Sequence, residues 1–293
     1  MVQLVFYMAV ISDDPPLLCI DIDGTLTPHQ HSIPAEMLQL LEEFTERGWK
    51  LTFITGRTFV RTKALLEVVE VPFSLSTLNG AQGFSFPDEK ALFSHPFPFS
   101  IIEEVGGLAR DLPLELVLYT GSMERDVGYH YLQSGHEPLK THLIARVEHF
   151  HESLVAFEMK QFACFKCFGE RENIVELRKK IQEKGLPVNF SMVTDPYNSN
   201  FTVLLGTADG VDKGHALHWF KEYYGAKTLV VAAGNDLNDL PMLRESDYAI
   251  AMKNAPQELK DQADFVCPHV EELGLIEGLL KVEEVYFQNG ERR

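Results

Sequence analysis

The hydrophobic positions of the first eighty residues alternate between two periods. A short apolar run at 17–21 predicts a buried strand. Behind Pro34, the residues Met37, Leu38, Leu41 and Phe44 share one face of a helix that closes at Gly48. Residues 49–54 read as a second strand, and a helix through Val60, Leu65 and Val69 follows, stopped before Pro72. A third strand is expected at 74–78. This alternation of strand and helix predicts a parallel, doubly wound sheet. The rhythm breaks between about 83 and 190. Here lie the Pro-rich stretches Phe86-Pro87 and His95-Pro96-Phe97-Pro98, strands expected at 114–119 and 154–157, and an amphipathic helix at 173–184 ending at Gly185. Alternation then resumes, with strands at 201–205, 228–232, 248–251 and 265–267 and helices at 213–224, 239–245, 256–262 and 271–280. The expected architecture is an α/β, Rossmann-like core from 1–82 and 191–282, an inserted α+β domain at 83–190, and a polar tail at 283–293.

Candidate chemistry gathers where the apolar runs stop. The first strand ends in Asp21-Ile22-Asp23-Gly24-Thr25. Residues i and i+2 of an extended chain point to one side, so Asp21 and Asp23 can aim at one volume. Two close carboxylates repel unless a cation or a shared proton compensates, and the pattern points to a divalent metal beside a nucleophile and an acid/base. In open α/β sheets, ligands bind beyond the carboxyl ends of the strands, where the other candidate motifs also fall, except Lys213, which begins a helix.

Four segments, in order, resemble the haloacid dehalogenase-like hydrolases, and among them the Cof-type phosphatases with a cap between the second and third motifs. They are Asp21-Ile22-Asp23-Gly24-Thr25, Phe53-Ile54-Thr55-Gly56-Arg57, Gly210-Val211-Asp212-Lys213-Gly214 and Gly234-Asn235-Asp236-Leu237-Asn238-Asp239. Asn79-Gly80-Ala81 and Ala251-Met252-Lys253-Asn254-Ala255 agree with them. The resemblance covers about 17–280, most loosely in the middle. It implies a Mg²⁺-dependent phosphatase acting on a small phosphorylated metabolite such as a sugar phosphate, through an aspartyl-phosphate. Asp21 matches the nucleophile, Asp23 the general acid/base, Thr55 a hydroxyl donor to the transferring group, and Lys213 the cation that offsets its charge. Gly56, Arg57, Asn79, Asn238 and Asp239 would line the phosphate and substrate pocket. Asp21, Asp23, Asn235 and Asp236 would supply the metal ligands. The fourth motif departs from the family's Gly-Asp-x-x-Asn-Asp: Asn235 stands where an acid is usual, and Asp236 adds one. Either Asn235 ligates with Asp236 behind it, or the loop slips and Asp236 ligates. The cap would choose the substrate, with Tyr119, Arg125 and Tyr131 as candidate contacts. Two alternatives stay open: a phosphosugar mutase, since the opening motif also resembles phosphomannomutase, and a catalytically weakened relative used for binding or regulation.

Composition narrows the partners. The formal net charge of -17 over 293 residues argues against nucleic acid or an anionic membrane as a partner. Residues 1–11 are apolar but carry no basic leader, and are too short to span a bilayer. Four cysteines without zinc spacing, among them the C-x-x-C of Cys164 and Cys167, read as buried structural residues of a cytoplasmic protein. Oligomeric state is not legible.

Overall fold

The structure, a computed structural model, describes residues 14–28, 32–132, 135, 137–144, 149–151, 161–195 and 198–286. Among these, the first half of the core runs β1 (Leu17–Ile20), α1 (Ala35–Glu46), β2 (Lys50–Ile54), α2 (Phe59–Leu66) and β3 (Phe73–Thr77). A hairpin, β4 (Gln82–Phe86) and β5 (Lys90–Ser94), follows directly. The second half runs α6 (Lys213–Tyr224), β12 (Val230–Gly234), α7 (Leu240–Arg244), β13 (Tyr248–Met252), α8 (Gln257–Lys260), β14 (Phe265–Cys267) and α9 (Gly274–Tyr286). These strands form one sheet in the order β14-β13-β12-β1-β2-β3-β4-β5. It is parallel from β14 to β3 and antiparallel only at the hairpin.

Both faces of this sheet are covered, which is why its strands read as unbroken apolar runs. On one face Leu18, Ile20, Val231, Ala233 and Ile250 meet Phe44 of α1, Phe59 of α2 and Leu279 of α9. On the other, Leu17, Cys19, Ala232, Ala249 and Ala251 meet Ala216, Leu217 and Phe220 of α6 and Met242 of α7. Small side chains dominate that second face and let α6, which begins with Lys213, lie close to β1.

The inserted segment folds α3 (Phe99–Ala109), β6 (Glu115–Tyr119), β7 (Val127–Leu132), α4 (Glu137–Ile144), β8 (His149–His151), β9 (Cys164–Gly169), α5 (Arg171–Lys184), β10 (Val188–Thr194) and β11 (Thr202–Ala208). Its sheet, ordered β10-β11-β9-β6-β7-β8, is antiparallel except at β7–β8. α3 and α5 cover one face through Ile102, Val105, Ile174, Leu177 and Ile181. The other face, with Val117, Tyr119, Cys164, Phe168, Val203 and Leu205, packs on Leu78, Ala81 and Val211 of the core loops.

Sheet membership corrects the expected limits of 83–190. β4 and β5 extend the core sheet, whereas β10 and β11 belong to the inserted sheet. The strand expected at 201–205 as a core strand is β11, held antiparallel between β9 and β10. It is buried on both faces, so its apolar run looks the same as that of a parallel core strand. The expected tail also changes. α9 continues to Tyr286, with Glu283 paired to Arg47 and the Tyr286 ring 5.8 Å from that of Tyr248. The strand expected at 154–157, residues 1–13 and residues 287–293 lie outside the described residues.

The turn after β3 joins the two halves. Leu78, Asn79 and Gly80 all have positive φ, held by hydrogen bonds from Leu78 N to Arg57 O and from Asn79 N to Thr55 O, both 2.9 Å. At Gly80 (φ 99°) a Cβ would lie 2.0 Å from the Asp212 carbonyl oxygen. Gly80→Ala is therefore expected to lower stability by roughly 1–3 kcal/mol through backbone strain and this clash. Urea unfolding checks it, and an unchanged midpoint would mean that the turn yields freely.

Candidate active site

The parallel register brings the separated motifs together. Ile20 lies opposite Ala233 on one side and Phe53 on the other, so Asp21 emerges beside the ends of β12 and β2. The chain turns in opposite directions from β1, to β2 in one half and to β12 in the other, and that reversal opens the crevice. Asp21 N donates to Ala233 O at 3.0 Å, which fixes the carboxylate at the crevice floor.

Lys213 reaches the same point from the first position of α6. Asp212 caps that helix by accepting from His215 N at 2.9 Å, so the motif's aspartate starts the helix and its lysine is aimed by it. Lys213 Nζ donates to Asp21 Oδ1 and to Asp239 Oδ1, each at 2.5 Å. All three side chains are buried. Asp239 is itself held by Asn235 N and Asp236 N, which donate to its Oδ2 at 2.8 and 3.0 Å. Burial would push Lys213 down, but the two carboxylates outweigh it and hold the ammonium above the usual lysine range. Burial, reinforced by the Asp239 and Asp23 charges and opposed by Lys213, pushes the Asp21 carboxyl up to about 7.

The Asn235 amide occupies the remaining space beside Asp21. Gly24 (φ 82°) makes room for it, since a Cβ there would lie 2.4 Å from Asn235 Nδ2. Two amide orientations fit. With nitrogen inward, the amide donates to Thr25 Oγ1, the Asp23 carbonyl and Asp21 Oδ2 at 3.1, 2.9 and 3.1 Å. With oxygen inward, Thr25 Oγ1 donates to it at 3.1 Å, and it faces two further acceptors, the Asp23 carbonyl and Asp21 Oδ2. Those acceptors need a cation between them. Octahedral Mg²⁺ with Mg–O of about 2.1 Å sets adjacent ligand oxygens about 3.0 Å apart, the spacing found here. The donor set therefore fits a hard divalent ion.

This set differs from the expected ligands. Asp23 contributes its main-chain carbonyl, while its carboxylate takes Arg57 in a two-bond clamp, Nε–Oδ2 2.7 Å and Nη2–Oδ1 2.5 Å. β1 ends at Ile20, so the alternation that would turn the Asp21 and Asp23 side chains to one side has already stopped. Asp236 Oδ1 accepts from Leu237 N at 2.7 Å and caps the short 3₁₀ turn over Leu237–Asp239. The register with Asn235 at the oxygen cluster is the one formed. Among the described residues, no three His, Cys, Asp or Glu side chains gather as a metal site.

Thr55 lies buried at the end of β2, its Oγ1 accepting from Arg57 N at 3.1 Å. Asn79 presents its amide from the strained turn: Asn238 Nδ2 donates to Asn79 Oδ1 at 3.3 Å, and Asn79 Nδ2 donates to Ser191 Oγ of β10 at 3.5 Å. Thr25 and Ser191 were not anticipated from sequence, although a hydroxyl next to Asp-x-Asp-Gly was a signal for Thr25. Of the cap candidates, Tyr119 lies on the core-facing side, whereas Tyr131 packs on the opposite side against Phe99 and Gly106 of α3. Ser122 Oγ accepts from Arg125 N, and the neighbouring Asp126 pairs with Arg61 of α2. Lys166 of β9, also unanticipated, donates to the Gly56 carbonyl at 3.1 Å. Cys164 and Cys167 are three apart on one strand and face opposite clusters, so they share no ligand and form no bridge.

Comparison with known proteins agrees with this geometry. The haloacid dehalogenase-like hydrolase family matches residues 18–279. HMP-PP phosphatase from Serratia proteamaculans is 26% identical over 251 residues, covering 83% of this chain and 86% of that protein. A 5-amino-6-(5-phospho-D-ribitylamino)uracil phosphatase from Bacillus subtilis is 26% identical over 283 residues, covering 88% and 94%. Among solved structures, a phosphatase of the same superfamily from Bacteroides thetaiotaomicron superposes with a TM-score of 0.76 at 22% identity, covering 96% of this chain and 97% of that one. The chain belongs to the haloacid dehalogenase-like hydrolases, as a Cof-type phosphatase.

Proposed function

We propose that this protein is a Mg²⁺-dependent phosphatase that hydrolyses a small phosphorylated metabolite through a phosphoaspartate on Asp21. The observation that carries the reading is the buried Asp21 carboxylate, held by Lys213 on one oxygen and flanked by the acceptor cluster on the other. Asp21 Oδ2, the Asp23 carbonyl and Asn235 Oδ1 would hold the Mg²⁺, which supplies charge neutralisation between carboxylate and phosphate. An oxygen of Asp21 attacks phosphorus in line, and the bond to the leaving oxygen breaks as Asp23 gives that oxygen a proton. Water then attacks the phosphoaspartate, Asp23 takes the water's proton, and the bond between phosphorus and Asp21 breaks to release phosphate. Asp23 must leave the Arg57 clamp to do this, and an arriving phosphate is a natural competitor for that guanidinium. Lys213 and Thr55 complement the transferring oxygens. Among the described residues, no helix is long and apolar enough to cross a membrane, and buried reduced cysteines fit a cytoplasmic enzyme.

Asp21→Asn is expected to keep the fold and abolish nearly all turnover of p-nitrophenyl phosphate with Mg²⁺, and beryllium fluoride to inhibit the unaltered enzyme. Appreciable activity in the variant would exclude the covalent mechanism.

Positions 235 and 236 of the fourth motif separate cleanly. Asn235→Asp places a second charged oxygen in the cluster, beside that of Asp21, and removes the amide N–H that can turn inward. We expect a several-fold lower Mg²⁺ concentration for half-maximal stabilisation, and a lower thermal midpoint without Mg²⁺. Asp236→Asn keeps a good cap and should leave the Mg²⁺ titration where it was. A weakened titration in Asp236→Asn would restore Asp236 as a ligand.

Because burial holds the metal-free Asp21 carboxyl up to about 7, Mg²⁺ must displace a proton at lower pH. Its affinity should fall about tenfold per pH unit below 7 and level off above. Calorimetric titration between pH 5.5 and 8.5 checks this, and a flat profile would contradict it.

A further inference from the structure

Lys166 stands out on the cap because of what surrounds it. It lies near the middle of β9, in the apolar run Phe162-Ala163-Cys164-Phe165-Lys166-Cys167-Phe168. Its partners across the sheet are Val117 of β6 and Leu205 of β11, which share its face. Along the strand that face continues with Cys164 and Phe168, and it packs on the core loops at Leu78, Ala81 and Val211. Among the described residues, the side chains that flank Lys166 on this core-facing side of the sheet are apolar. Its ammonium donates to the carbonyl of Gly56, the residue between Thr55 and Arg57, at 3.1 Å and lies 5.1 Å from the centre of the Tyr119 ring. Leu205 comes down on the same glycine, its Cδ1 3.4 Å from where a Cβ would be.

In-line transfer puts the leaving oxygen opposite Asp21. Asp21 rises from the end of β1 in the core, so the leaving group points towards the cap. On that side Lys166 reaches the site itself, its ammonium on the carbonyl of Gly56 between Thr55 and Arg57.

We infer that Lys166 determines specificity by taking a second anionic group, a carboxylate or a phosphate, carried on the leaving part of a phosphomonoester. The inference rests on the phosphatase reading above. The apolar neighbours Val117 and Leu205 lower the dielectric on one side of the half-buried Lys166, which strengthens its attraction to an anion. An ammonium–anion hydrogen bond is also stronger than one to a neutral carbonyl, so the substrate anion displaces the Gly56 carbonyl from Lys166. Tyr119 and the aliphatic walls then cover the carbon skeleton between the two anions. The favoured substrate is a short molecule with a phosphate ester at one end and a second negative group at the other.

Two matched substrate pairs test this. 3-Phosphoglycerate against glycerol 3-phosphate isolates a carboxylate, and fructose 1,6-bisphosphate against fructose 6-phosphate isolates a phosphate. We expect kcat/KM to favour the doubly anionic member of at least one pair by roughly 10–100-fold, the usual worth of a hydrogen bond between charged groups. Lys166→Met should erase that ratio, mainly through KM, and Lys166→Arg should retain part of it. A purely structural role would lower both members of a pair equally and leave the ratio intact, which would overturn the inference. So would a wild type with no preference in either pair. Should Lys166→Met fail to fold, Lys166→Gln keeps the stem and a polar head, and its ratio decides in the same way. Absence of any turnover, p-nitrophenyl phosphate included, would overturn the phosphatase reading and this inference with it; turnover with an unaltered ratio overturns this inference alone.

Discussion

A buried ammonium between two buried carboxylates holds the site together. Lys213 sits 2.5 Å from both Asp21 and Asp239. Taking three charges out of water is costly, and breaking such a group by removing one member leaves an uncompensated buried charge. Much of the local architecture meets that cost. Asp212 caps α6 so that Lys213 starts the helix, the main-chain N–H groups of Asn235 and Asp236 satisfy Asp239, and Asp21 N is tied to β12. The small residues on the α6 side of the sheet allow the approach. Sequence positions far apart are joined here by charge, within a register set by strand pairing.

The core was legible because its physics is local. Strands buried on both faces give apolar runs, helices with one covered face give 3.6-residue spacing, and a parallel sheet delivers its strand ends to one edge. The alternation therefore foretold β1 to β3 and β12 to β14 with their helices. Periodicity does not carry sheet membership. β11 is covered by α5 on one side and the core loops on the other, so its run matched a core strand although it pairs antiparallel inside the cap. The β4–β5 hairpin was missed for the converse reason. It follows β3 through a strained turn at Leu78–Gly80, and the Pro-rich sequence around Phe86-Pro87 reads as a break rather than as an edge extension.

At the site, residue identities were legible and their roles less so. Side chains i and i+2 share a side only along a strand, and here the strand would have to reach Asp23. The chain turns after Ile20, sends the Asp23 carboxylate to Arg57, and leaves its carbonyl beside Asp21. No pattern of side chains announces where a main-chain oxygen will point. In sequence Asp236 offers a substitute charge for Asn235, but the N-terminus of a helical turn gives its carboxylate a nearer N–H. Lys166 did leave a trace, a single charge inside a seven-residue apolar run.

The charge arithmetic gives the asparagine a physical sense. Asp23 and Arg57 neutralise each other, and Asp21, Asp239 and Lys213 together carry one negative charge. A divalent cation added to that set would leave one positive charge facing the crevice, next to the cap's Lys166. An aspartate at position 235 would cancel it, holding the cation more firmly but offering a phosphate dianion a neutral floor. With asparagine, part of the cation's attraction stays available to the substrate. In a protein with a formal net charge of -17, a locally positive floor matters more than usual, because the surrounding field repels anions. A weaker cation site and a stronger pull on substrate would be two consequences of the same missing charge.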